Sequence, residues 1–254
     1  MVAVDPLRAL ADKGPADERY WVFYDAVATR QLAAWLPAQP QRVLNLSGDA
    51  TALPLQMAAA GHEVVHVAGT PEGIVPAASL AGPGRLMQVL ADPRGLDWLA
   101  DGCVDRVVAE QRALSYCLAT ETTLTELARV LQPGGRLLIC VDSLVLGLAR
   151  LADAGRWAEL ADVPAADVVL VPGTDGTITR CFWPEELRLV LDEAGFDVEW
   201  VRPRSVLSGA AVERALRADP SVLGTLVETE LALAREREDE SIGIHLLASA
   251  VRRG

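Results

Sequence analysis

The chain's chemistry-bearing residues sit at the ends of short apolar runs. Val43 to Leu46 leads into Ser47-Gly48-Asp49, an apolar helical stretch from Ala52 to Ala60 follows, Gly61 ends it, and Glu63 to Val67 forms a second strand-like run. A strand, turn and helix in that order place ligands at the end of the first strand, against the N-terminus of the helix. A nicotinamide dinucleotide would need Gly-x-Gly-x-x-Gly at this turn, and the motif is absent. A later strand-like run, 104–109, ends in Glu110 and Arg112. These charges read as a solvated strand end, and they are the weak candidates for contact with a cofactor or a reacting group. His62, His66 and His245 form no HxE, HxxxH or Cys-His pattern with metal-ligand spacing. Cys103, Cys117, Cys140 and Cys181 have no CxxC spacing and read as buried reduced thiols. No metal site is expected.

Those ends must be positioned by alternating elements. Strands are predicted at 42–46, 63–67, 86–90, 104–109, 136–141, 197–202 and 242–250. Helices are predicted over 16–36, 52–60, 71–79, 93–100, 121–131, 144–161 and 184–194, with two more in 208–236. The alternation predicts an α/β fold: a Rossmann-like, doubly wound and mainly parallel sheet. Between 142 and 183, Asp167 to Val171 and Thr177 to Phe182 flank Pro172-Gly-Thr-Asp-Gly176, the pattern of a hairpin. This insertion is either a substrate lid or an edge extension that covers core or builds a dimer. The layout is one domain over 1–254, with an N-terminal helical segment (1–40), a core βα half (41–142), a lid-like insertion (143–183) and a C-terminal half with added helices (184–254).

Composition narrows the partners. The 254 residues are 51% hydrophobic and 23% charged, enough for one large core, and the net charge is −12. Lys13 is the only lysine and the arginines are scattered, so no nucleic-acid partner is expected. With no signal-like start and no run of about 20 apolar residues, neither is a membrane, and the protein reads as cytoplasmic. The apolar positions of Ser208 to Glu240 fit packing within the chain or a homodimer seam equally, and Arg235 to Glu240 reads as a solvated helix end.

Two segments carry a family resemblance. Leu127-Ala-Arg-Val-Leu-Gln-Pro-Gly-Gly-Arg-Leu-Leu-Ile-Cys-Val141 resembles the helix, Pro-Gly-Gly turn and fifth strand of class I S-adenosylmethionine-dependent methyltransferases. Trp183 to Phe196 resembles their next helix and Gly-Phe turn. Tyr20-Trp-Val-Phe-Tyr24 is similar to the family's aromatic first helix, and Asp105 to the acid before its fourth strand. The resemblance covers residues 17 to 250 and implies a seven-stranded sheet with an antiparallel last strand. It also implies S-adenosylmethionine as cofactor. The family's three loop glycines fall on Ser47, Asp49 and Thr51, with Gly48 alone remaining, and its ribose-binding acid falls on Ala68. Asn45 stands where an Asp is common, and Asp92 matches the acid that contacts adenine. Asp92-Pro93 also has the form of a helix cap. Tyr20 and Tyr24 either close a pocket or, as the better reading, pack the first helix.

These observations support methyl transfer to a small-molecule substrate if the remodelled cofactor site functions. The alternative is a methyltransferase-fold protein that has lost or exchanged this reaction and acts as a binding or scaffold subunit.

Overall fold

The computed structural model describes residues 18–48, 51–76, 82–166, 168–173 and 176–254. The N-terminal 17 residues, Asp49, Asp167 and part of the hairpin turn lie outside the described residues. Strands β1 (Arg42–Asn45), β2 (Glu63–Ala68), β3 (Arg85–Leu90), β4 (Val104–Ala109) and β5 (Leu131–Ser143) are mutually parallel, in the spatial order β3-β2-β1-β4-β5. Beyond β5, the last strand β9 (His245–Arg252) runs antiparallel and carries β8 (Phe196–Arg204) on its far side. These seven strands have the predicted arrangement. The hairpin adds β6 (Val169–Pro172) and β7 (Ile178–Phe182), making nine.

Where β4 ends opposite Ile139, β7 takes its line and pairs parallel with the last residues of β5, Asp142 and Ser143. The insertion thus extends the sheet beyond the carboxyl ends of β4 and β5. There the Arg180 N–H donates to the Ser115 carbonyl at 2.8 Å, which ties the hairpin to the loop after β4.

Both faces of the sheet are buried. Successive residues of a strand point to opposite faces. Leu44, Val107, Ile139 and Leu246 therefore share one core with α3 (Thr120–Val130) and α6 (Pro184–Glu193). Val43, Val108, Leu138 and Leu247 share the other with α1 (Glu18–Trp35) and α2 (Ala52–Ala59). Tyr20, Phe23, Tyr24 and Val27 of α1 pack against Val212 and Leu216 of α7 (Gly209–Ala218) and Val227 of α8 (Leu223–Glu236). Packing is therefore what both tyrosines do. Among the described residues, no helix is long and apolar enough to cross a membrane.

Three helix expectations are corrected. Residues 71–73 form only a 3-10 turn, and 74–76 are not helical. Gln88 holds Val75 there by accepting from its N–H (2.6 Å) and donating to its carbonyl (2.8 Å). Residues 93–100 are turns, so Asp92 caps no helix. Arg129 of α3 donates to the carbonyls of Leu96 and Leu99, both at 2.8 Å, and so takes acceptors a local helix would use. The stretch 144–161 is two helices, α4 (Leu144–Asp153) and α5 (Trp157–Asp162). Between them Gly155 N–H donates to Ala152 and Arg156 N–H to Leu151, the paired bonds of a Schellman stop. The Pro133-Gly134-Gly135 turn forms as expected, with Gly134 at φ 76°.

Candidate functional site

The carboxyl ends of β1, β2, β4 and β5, together with the start of β9 and the end of β8, meet along one edge. Its first half belongs to β1 and β2. Asn45, Ser47, His66 and Ala68 are wholly buried there. The Asn45 amide nitrogen donates to Ser47 Oγ at 2.8 Å, Asn45 Oδ1 lies 2.7 Å from His66 Nδ1, and His66 Nε2 lies 3.0 Å from the Gly73 carbonyl. This chain fastens the segment after β2 onto the strand ends. His66 is a member that sequence reasoning passed over, because a lone strand histidine carries no motif.

Whether S-adenosylmethionine fits this half turns on four positions. Gly48 has the left-handed backbone (φ 56°) of a tight turn, and a Cβ built on it would meet nothing within 4 Å, so there is room above the turn. The turn leads into α2, whose N-cap residue Thr51 makes no side-chain cap bond. Asp92 is exposed just after β3, and Arg94 grips it at 2.6 Å. Hydrogen bonds from Arg94 hold its carboxyl down to about 2, so it is an anion at any physiological pH. Ala68 offers no acceptor to a ribose. The residues present therefore leave room for the cofactor at the turn and offer an exposed carboxylate after β3, with the ribose grip absent.

The second half is ionic. Glu110 and Arg204, each 1% exposed, form a bidentate pair with both bonds at 2.8 Å. Arg204 Nε donates to Gln31 Oε1 at 2.7 Å, and its Nη1 lies 3.5 Å from the Tyr24 hydroxyl. Buried Asp142 accepts from Arg150 at 2.9 Å and from Arg112 at 3.3 Å, with His245 Nε2 3.5 Å away. Arg112 also bonds the Tyr116 hydroxyl, and Arg150 reaches Thr179 of the hairpin at 3.2 Å. His245 Nδ1 stands 3.2 Å from the Tyr24 hydroxyl. Burial, then the charges of Arg112, Arg204 and Arg150, push His245 well below its ordinary value, so it is neutral at pH 7. Burial also raises Tyr24 well above its usual value and pushes Cys140 up to about 12, so neither supplies an anion. Gln111 and Arg112 both adopt left-handed backbone (φ 57° and 62°), a conformation L-residues disfavour, and this turn aims Arg112 at Asp142.

The expectation of a solvated strand end at Glu110 and Arg112 is overturned: a buried carboxylate requires a buried partner, and Arg204 lies 94 residues away in sequence. The structure brings Tyr24, Glu110 and Arg112 together in this half. Asn45, Ser47, Gly48 and Ala68 lie in the other, with Asp92 at its rim, and Asp49 lies outside the described residues. Asp142, Arg150, Arg204 and His245 were not singled out as site residues. Cys117, Cys140 and Cys181 are buried free thiols and Cys103 is half-buried, and no cluster of ligands able to hold a metal occurs among the described residues.

Comparison with known proteins adds a family match over residues 47–139, described as a methyltransferase domain. The solved 1,6-didemethyltoxoflavin-N1-methyltransferase of Burkholderia thailandensis, with S-adenosylhomocysteine bound, is similar in fold (TM-score 0.58, 18% identity, 98% of this chain and 88% of that one). So is an S-adenosylmethionine-dependent methyltransferase of Mesorhizobium loti (TM-score 0.57, 16% identity, 91% and 100%). A curated relative, the glycine–tRNA ligase beta subunit of Anaeromyxobacter dehalogenans, is 29% identical over 167 residues, 65% of this chain, and the chain spans only 24% of its length. The family match and the strand order together support a class I S-adenosylmethionine-dependent methyltransferase fold for this chain, a fold whose cofactor is S-adenosylmethionine.

Proposed function

We propose that this protein transfers a methyl group from S-adenosylmethionine to a small-molecule acceptor. The observation that carries the reading is the ionic cluster around Asp142, bordered by the hairpin strand β7, on the same sheet edge as the open Gly48 turn. The cofactor supplies a methyl group made electrophilic by its sulfonium. The protein's share is alignment, which can account for much of a displacement's acceleration. Gly48 and Asp92 bind the cofactor, and the Glu110–Arg204 pair positions the end of β4. Arg112, Arg150 and Asp142 orient the acceptor beside the hairpin, whose strands extend the sheet at this edge. Three guanidiniums against two carboxylates leave one positive charge, so an acceptor with an acidic group suits the site.

The second reading is a binding or scaffold subunit built on this fold. Its support is Ala68 without an acid, together with the Ser47–Asn45–His66–Gly73 chain, whose polar groups satisfy one another. Calorimetric titration of the full chain with S-adenosylhomocysteine separates the two. Micromolar binding is expected, and acceptor screening then follows. No heat at millimolar ligand, from a sample shown to be folded, overturns methyl transfer in favour of the second reading.

A further inference from the structure

Helices α1 and α8 and strands β8 and β9 enclose a groove of about 370 Å³ that shares no residue with either half of the edge except Gln31. Its size is that of a small-ligand site. Trp35 and Trp200 line it together with Arg30, Arg136, Arg202 and Arg235. Three of these arginines are neutralised: Arg30 by Glu228 (2.7 Å), Arg136 by Glu199 (2.5 Å) and Arg202 by Glu238 (2.5 Å). Arg235, exposed in the last turn of α8, makes no ion pair among the described residues.

A fifth guanidinium lies against Trp35. Arg106 stacks over the Trp35 ring at 4.8 Å and pairs in register with Arg136 across β4 and β5. Its Nε and Nη1 are buried with no hydrogen-bond partner among the described residues. Unpaired charged donors out of water are costly, and a second guanidinium alongside adds repulsion. Burial first, then Arg136, lowers Arg106 from its usual value. Among the described residues, Arg106 and Arg235 thus make no ion pair here, in a chain whose net charge is −12.

We propose that this groove is a second ligand site for a small, doubly negative organic anion with a flat apolar part. A phosphate or paired carboxylates would meet Arg235 in the field of Arg106, which lies behind the Trp35 ring, and the flat part would lie between Trp35 and Trp200. Such a ligand would sit one side chain from the catalytic edge, because Gln31 in the groove wall accepts from Arg204, the partner of Glu110. The assignment does not depend on methyl transfer.

Titration of the full chain with phenyl phosphate, inorganic phosphate and phenol tests it, read by calorimetry and by the indole N–H signals of Trp35 and Trp200, assigned from Trp35→Phe and Trp200→Phe. Phenyl phosphate should bind at least tenfold tighter than phenol and move both signals. Arg235→Met, at an exposed position, should weaken it tenfold or more, as should Arg106→Met if that variant folds. Saturating S-adenosylhomocysteine should leave the two shifts in place. Equal affinity for phenyl phosphate and phenol, or undiminished binding by folded Arg235→Met, overturns the proposal. Inorganic phosphate binding as tightly as phenyl phosphate overturns the aromatic part of it.

Discussion

The two halves of the edge formed by the strand ends are held by different bonds. At β1 and β2, neutral side chains bond in series from Ser47 through Asn45 and His66 to the Gly73 carbonyl. At β4, β5, β8 and β9, buried charges pair across distances of up to 94 residues in sequence. A neutral chain is satisfied internally and asks nothing of a ligand, whereas three guanidiniums on two carboxylates retain a charge to offer. Under the proposed function, the contrast places the departures from the family pattern in the neutral half and the free charge in the ionic half.

Breaking the ionic half should have the largest effect. Glu110→Ala leaves Arg204 charged and buried without its partner, a loss on the order of 3–5 kcal/mol by denaturant unfolding. Glu110→Gln combined with Arg204→Met removes both charges and should recover more than half of that. A single variant costing under about 1 kcal/mol would mean the pair is hydrated. In the neutral half, Asn45→Ala strands Ser47 Oγ and His66 Nδ1, and a loss of about 1–3 kcal/mol is expected from the same measurement. Should Asn45→Ala equal or exceed Glu110→Ala, the comparison fails.

The difference between the halves was only partly legible in the sequence. The seven sheet strands show as short apolar runs, and the Pro133-Gly134-Gly135 turn and Trp183-to-Phe196 segment carried the resemblance that implied a seven-stranded sheet with an antiparallel last strand. What the sequence hid is contact at long range. The Leu96 and Leu99 carbonyls look free for a helix until Arg129 arrives from α3, and Val75 looks helical until Gln88 binds both sides of its backbone. Glu110 and Arg112 look like solvated charges because Arg204 and Asp142 reach them only after β8 and β5 are in place. The missing acid at Ala68 was visible at once, since it is a local substitution in a known pattern. His66, which fastens the loop beside it, was not.

Acidity should sharpen the comparison next. The folded value of His245 lies well below the 6.5 of an unfolded histidine, so between the two the unfolded chain binds the extra proton and stability falls as pH falls. The dependence is at most about 1.4 kcal/mol per pH unit, starting near pH 6.5. His62, which burial and then Arg106 also lower, contributes in the same sense. His245→Gln should flatten the profile by its own share and leave that of His62. An unchanged slope would mean that His245 takes up its proton within the fold, against the guanidiniums around Asp142.

The smallest expected change in stability distinguishes a cap from a ligand. Asp92 caps no helix, and its pair with Arg94 is exposed, so screening by solvent leaves Asp92→Ala within about 0.5 kcal/mol of the parent in unfolding. Its effect belongs to binding: loss of a charged acceptor at the adenine amino group should weaken S-adenosylhomocysteine roughly tenfold or more, since such a bond is worth about 1.5–3 kcal/mol. Arg94→Ala frees the same carboxylate and should strengthen binding modestly. If Asp92→Ala destabilises the fold and leaves binding unchanged, the last matching position of the cofactor half is structural, and the contrast between the halves extends to β3.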